Sequence, residues 1–374
     1  MNVIPPDIAA PKPIEVFKSR LLAALSGHEK ISAGKWLEGV RARLAKRPRD
    51  NELRAAELLL AAEAGETIDV SKIPGPLAPK LMAWIIGTGR LKGALAVLTA
   101  IQQRRRELQT LGALYDALRL HPRLPVLLQG FLDREDLTLQ IAAGKNPNSR
   151  AMAVCFCGAG DRMGIPLNAF HPWLQPHFAG IVYVRDKART LFLSGVADVG
   201  SMEQTVAELR RIAEASGSTR IVCIGSSAGS FGALIYAQRL GAKHVLCLSG
   251  ITELDLLARA RGVEFQKFLA HQKQKYGYAI PDLRTFYAGN SAIRVRYVYP
   301  GGNAVDVEQA EVLENLPGID LVRLADSSEH NVLGAMLQRR LLRRELVLAA
   351  TGTLPARRAP ASDDDAAYDE PASP

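Results

Sequence analysis

The stretch RIVCIGSSAGSFGALIYAQRLGA, residues 220–242, constrains the fold more than any other part of the chain. It opens with a short apolar run that reads as a buried strand, passes through Gly225-Ser226-Ser227-Ala228-Gly229, and continues at once into an apolar helical pattern. A serine at the tip of so sharp a strand-to-helix turn is forced into a strained backbone region. The residues two before and two after it must then lack side chains, which is what the paired glycines supply. The Ser227 hydroxyl is expected to stand at the head of the helix, where the dipole favours developing negative charge, with the Ala228 amide aimed at an oxyanion.

The surrounding sequence has the texture that such a turn needs. From about residue 150, the runs AMAVCFC, GIVYV, RIVCIG, HVLCLSG, IRVRYVYP and LVRLA alternate with helical patterns. Continuous apolar runs of this length fit strands buried on both faces of a parallel sheet. The predicted fold class is therefore α/β, with a doubly wound, mostly parallel sheet over residues 146–350. Residues 251–290 interrupt the alternation with extra helical sequence, expected to be an insertion covering the site. Residues 1–145 are rich in Leu, Ala, Arg and Glu with apolar positions every three or four residues, as in NELRAAELLLAAEAGE. They predict an all-helical N-terminal domain of about seven short helical segments arranged as hairpins, broken at Pro48, Gly65, Pro74–Pro76, Gly87, Pro122 and Pro125. No consensus recurs at a fixed period. Residues 351–374 are rich in Pro, Ala and Asp and are expected to be disordered.

Charge and cysteine content narrow the function classes. The net charge of +9 is spread along helical segments, with clusters at Arg104–Arg106 and at Arg339, Arg340, Arg343 and Arg344. The second cluster lies opposite Leu341, Leu342 and Leu346, as a solvated helix face does, and no nucleic-acid motif accompanies it. No membrane span and no export signal are read, so a cytoplasmic location is expected. Cys155, Cys157, Cys223 and Cys247 fall inside apolar runs without metal-ligand spacing and predict free, buried thiols.

The serine turn in its strand–turn–helix setting resembles the nucleophile elbow of the α/β-hydrolase family, and the resemblance extends over roughly residues 150–350. It implies a serine hydrolase whose catalytic residues follow in the order Ser, Asp or Glu, His. Ser227 is then the nucleophile. His330, in LADSSEHNVLGAML after the last strand, takes the place of the base. Asp306, after IRVRYVYPGGN, takes the place of the acid, although an aspartate opening a helix also serves as an N-cap. Asp255 and Asp326 are reserve acids. His244 and His271, the two histidines between the elbow and the last strand, are expected at a core edge or on a solvated face. A second oxyanion amide is implied in the loop after AMAVCFC, at Ala159 or Gly160. The His-Gly-Gly-Gly motif of lipase-like members is missing there, and Asp161 and Arg162 could instead pin the loop to each other. Met163, Phe170, Trp173, Phe265, Phe268 and Tyr276 are available as pocket walls.

The expected activity is cleavage of an ester, of a small acyl group or a carbohydrate, through an acyl-enzyme on Ser227 with no cofactor or metal. Transfer of the acyl group to an alcohol or amine would use the same residues. A non-catalytic scaffold with a vestigial hydrolase fold is a further reading, and the helical N-terminal domain could dock a protein partner in either case. A dinucleotide site at Gly158, Gly160 and Gly164 with Asp186 on a ribose is the remaining rival. Its spacing is G-x-G-x-x-x-G, and Pro166 interrupts the helix that should receive the phosphates.

Overall fold

The computed structural model describes residues 13–26, 32–71, 73, 75–105, 111–120, 131, 133–277, 280–289 and 292–353. The proposed tail beyond residue 353 and the breaks at Pro74, Pro122 and Pro125 lie outside them. Among the described residues, six α-helices come first: α1 (Pro13–Ser26), α2 (Ala33–Lys46), α3 (Asn51–Ala64), α4 (Ala78–Gly87), α5 (Leu91–Arg104) and α6 (Gly112–Arg119). Their ends follow local chemistry. The Asp50 side chain accepts from the Leu53 amide at 3.2 Å and caps α3, and Gly65 closes that helix in the left-handed conformation.

Seven strands follow: β1 (Leu139–Ala143), β2 (Ala151–Phe156), β3 (Gly180–Val184), β4 (Arg220–Ser226), β5 (His244–Leu248), β6 (Arg294–Pro300) and β7 (Ile319–Leu324). They form one sheet in the order β1-β3-β2-β4-β5-β6-β7, in which β1 alone runs antiparallel. This mixed, mostly parallel seven-stranded sheet is of the α/β-hydrolase type. All six expected strands are present. The seventh, β1, corrects the helical reading of residues up to 145, because Leu139–Ala143 pairs residue by residue with Val184–Gly180. Residues 251–290 are helical as expected, in the segments Leu254–Arg261, Val263–Tyr276 and Leu283–Ala288.

Side chains alternate across the strands, so the sheet sorts its apolar residues into two cores. Met152, Val154, Phe156, Cys223, Val245 and Cys247 face the helices Met202–Ala215, Ala228–Leu240 and Leu283–Ala288. Ala153, Cys155, Ile181, Tyr183, Val222 and Ile224 face the opposite way. Buried residues of all six N-terminal helices belong to that second core, together with the helices Leu167–Leu174, Leu333–Gln338 and Leu341–Thr351. Polar contacts fix the docking. Gln338 Nε2 donates to Asp116 Oδ2 at 2.8 Å, and Asn168 Nδ2 donates to the Ala83 carbonyl at 3.2 Å. Among the described residues, no helix is long and apolar enough to cross a membrane.

Candidate active site

Ser227 sits between β4 and the helix Ala228–Leu240 with φ 51° and ψ −122°, a conformation that a residue with a side chain adopts only when its surroundings impose it. Its amide donates to the Leu248 carbonyl at 2.9 Å, and its carbonyl accepts from Ser230 and Ile251. The flanking glycines are demanded by packing. A β-carbon at Gly225 would lie 2.4 Å from the Ser230 α-carbon, and one at Gly229 would lie 2.0 Å from the Phe156 carbonyl oxygen.

The loops at the carboxyl ends of β6 and β7 bring two more side chains to this turn. His330 Nε2 lies 2.9 Å from Ser227 Oγ, and His330 Nδ1 lies 2.8 Å and 3.1 Å from the two Asp306 oxygens. With the ring proton on Nδ1, the imidazole donates to the carboxylate and accepts from the hydroxyl. Asp306 is only 2% exposed, whereas the His330 side chain is 48% exposed. Asp306 is not the cap of its helix. That position belongs to Asn303, whose side chain accepts from the Asp306 amide at 3.3 Å, and the carboxylate is left to face the imidazole. The reserve acids lie elsewhere. Asp255 is exposed on the helix Leu254–Arg261, and Asp326 pairs with Arg339 at 3.2 Å.

The loop after β2 turns tightly, with the Gly158 amide bound to the Arg162 carbonyl and the Asp161 amide to the Gly158 carbonyl, each at 2.9 Å. The amides of Ala159 and Gly160 at its tip take no backbone acceptor among the described residues, and both residues line a cavity of about 260 Å³ with Ser227 and His330. Ala228 opens the elbow helix, where the first amides have no intrahelical acceptor, and its methyl packs on the core below. Asp161 and Arg162 do not pin the loop to each other. Asp161 pairs with Lys187 at 2.8 Å and with Arg189 at 3.9 Å, while Arg162 lies exposed in the cavity wall.

The far wall of the cavity differs from the sequence expectation. Pro79 of α4, Leu114 of α6 and the adjacent Leu111 supply it, and among the described residues none of 251–290 lines it. The insertion packs instead on the core beneath the elbow helix, through Leu254, Leu257, Leu283 and Tyr287. Met163 and Phe170 are fully buried core residues, Trp173 packs partly buried against the same core, and the Phe265 and Phe268 rings lie tilted to each other with centroids 6.0 Å apart outside the cavity. The Tyr276 side chain lies outside the described residues. Asn331, which no sequence motif marks, ties the histidine loop to the loop after β2. Its Nδ2 donates to the Gly164 carbonyl at 2.8 Å.

Other titratable groups near the site are held neutral or engaged. Burial pushes the Cys157 thiol up to about 12 and raises Cys155 well above its ordinary value, so neither is a ready nucleophile. Asp186, the ribose partner of the dinucleotide reading, accepts from the Phe192 amide at 3.1 Å and is raised by desolvation. It serves its own loop. Among the described residues, no group of three or more His, Cys, Asp or Glu side chains is placed to hold a metal ion.

The chain resembles several solved structures at low sequence identity. A lipase-esterase related protein from Clostridium acetobutylicum is 14% identical, with 55% of this chain and 97% of that chain covered at a TM-score of 0.38. Est1E from Butyrivibrio proteoclasticus is 14% identical over 57% of this chain and 94% of its own, with a TM-score of 0.42. The 2,6-dihydroxy-pseudo-oxynicotine hydrolase is 11% identical and covers 89% of this chain and 96% of its own, with a TM-score of 0.47. Structural neighbours of the chain include α/β hydrolases and esterases, all at low sequence identity. No protein-family model and no curated protein sequence matches the chain.

Proposed function

We propose that this protein is a serine hydrolase that cleaves a small ester through an acyl-enzyme on Ser227. The observation that carries the reading is the hydrogen-bonded row from Asp306 through His330 to Ser227, drawn from the first turn of the helix after β6, the loop after β7 and the elbow after β4. In this reading His330 takes the hydroxyl proton as Ser227 Oγ attacks the ester carbonyl, and Asp306 keeps the imidazole in the productive tautomer. Oxyanion charge is met by the Ala228 amide and by a loop amide at Ala159 or Gly160. The protonated histidine then gives its proton to the departing alkoxide. A water molecule, deprotonated by the same imidazole, attacks the acyl-enzyme and releases the acid.

The cavity of about 260 Å³ has room for a short acyl or alcohol portion. Screening short-chain p-nitrophenyl esters beside acetylated sugars tests the activity. Turnover of at least one class that disappears in Ser227→Ala supports it, and uniform inactivity of a folded protein toward both contradicts ester hydrolysis.

A further inference from the structure

The proposal concerns the substrate of this same site and rests on the hydrolase reading above. We infer that Arg162 is a specificity residue that receives a carboxylate on the substrate, so that the preferred ester carries one negative charge beyond its scissile bond.

Arg162 belongs to the loop that touches the nucleophile. A β-carbon on Gly158 would sit 3.5 Å from the Ser227 β-carbon, and the Gly158 amide is held by the Arg162 carbonyl at 2.9 Å. The guanidinium folds back over Gly160, where a β-carbon would meet its Nε at 3.1 Å and its Cζ at 3.5 Å. The glycine thus gives the side chain a flat seat in the cavity wall. Among the described residues, Arg162 makes no ion pair and no side-chain hydrogen bond. Its neighbour Asp161 is occupied by Lys187 and Arg189. Glu329 lines the same cavity, and the two side chains do not pair.

Charge and shape select the ligand chemistry. A planar guanidinium offers two parallel N–H donors that match a carboxylate. Glu329 in the same wall repels a doubly charged group more strongly than a singly charged one, and Lys187 and Arg189 are engaged by Asp161, so a monoanionic carboxylate suits this wall better than a phosphate. Leu111, Leu114, Ile165 and Leu248 add apolar lining to the cavity. A half-ester of a short dicarboxylic acid combines these features. The net charge of +9 favours the approach of an acidic ligand.

Binding is measured by calorimetry to the full-length Ser227→Ala protein, which keeps the ligand intact, with mono-p-nitrophenyl glutarate and its uncharged methyl ester as probes. The expected result is at least about tenfold tighter binding of the acid, a preference lost in the Ser227→Ala/Arg162→Gln double variant and partly kept with Arg162→Lys. Equal affinity for the two probes, or a preference that survives Arg162→Gln at unchanged melting temperature, would overturn the assignment. Wild-type turnover of an uncharged ester reports separately on the hydrolase reading, so the two can fail independently.

Discussion

Gly229 and the Phe156 carbonyl oxygen approach so closely that a β-carbon on the glycine would lie 2.0 Å from the oxygen. The elbow helix is thereby pressed against the end of β2, and the loop carrying Ala159 and Gly160 starts beside Ser227. Gly229→Ala forces backbone apart from backbone with no flexible side chain to yield. We expect a loss of about 2 kcal/mol or more in urea denaturation, together with loss of esterase activity. A stable and active Gly229→Ala protein would mean that the turn tolerates a wider path than described.

Asp306 is buried against the His330 ring, so replacing one carboxylate oxygen with an amide should leave packing intact and spoil the tautomer. For Asp306→Asn we expect kcat to fall by about 10³–10⁴-fold with a melting temperature near that of the wild type. Steady-state kinetics beside thermal unfolding checks this.

How much of this could be read in advance depended on the range of the interactions. The elbow was legible because the strand, the two glycines, the serine and the helix are contiguous, and their constraints are local. Strands β2, β3, β4 and β5 were legible because burial on both faces leaves nearly uninterrupted apolar runs, whereas β6 and β7 were read from the shorter apolar stretches within IRVRYVYP and LVRLA. Strand β1 was not, because only one of its five residues, Gln140, is buried and its chain neighbours Thr138 and Asp136 carry no strand pattern. Its identity comes from pairing with Gly180–Val184, some forty residues away. The cavity wall was hidden for a related reason. Leu111 and Leu114 look like any apolar positions of a helix, and only docking of α6 on the helix Leu333–Gln338 brings them near Ser227. Neighbours in sequence also misled at Asp161 and Arg162, since the aspartate finds its cation 26 residues later at Lys187.

That docking predicts the result of removing the N-terminal helices. A fragment starting at residue 146 lacks β1 and uncovers Phe170, Leu333, Met336 and Leu337, all of which are buried. We expect it to aggregate or to elute as a non-native species in size-exclusion chromatography. A monodisperse, active fragment would show that the helices are dispensable.

Asn331 couples two loops that each hold part of the site. Asn331→Ala removes the hydrogen bond to the Gly164 carbonyl, and we expect a fall of about tenfold in kcat with little change in stability, because the side chain is only part-buried. Equal kcat in the variant would make the contact incidental.

Two buried histidines away from the site set a pH dependence of stability. Burial lowers His171 to about 3, and burial with the nearby Arg294, Arg296 and Arg220 lowers His244 to about 4. Between these values and the ordinary 6.5 the unfolded chain binds protons that the folded chain refuses. Their contribution is therefore complete above pH 6.5 and is lost as the pH falls toward 4. Each histidine adds a slope of up to about 1.4 kcal/mol per pH unit in that window. Urea midpoints at pH 5 and pH 7 should differ accordingly, and His244→Gln should reduce the difference.

The central claim is that the Ser227 hydroxyl is the activated nucleophile. Labelling the intact protein with a fluorophosphonate and locating the adduct by peptide mass spectrometry tests it most directly. The account predicts one adduct, on the peptide containing Ser227, abolished by Ser227→Ala and strongly slowed by His330→Ala. An adduct on another residue, or labelling that persists in Ser227→Ala, would contradict it.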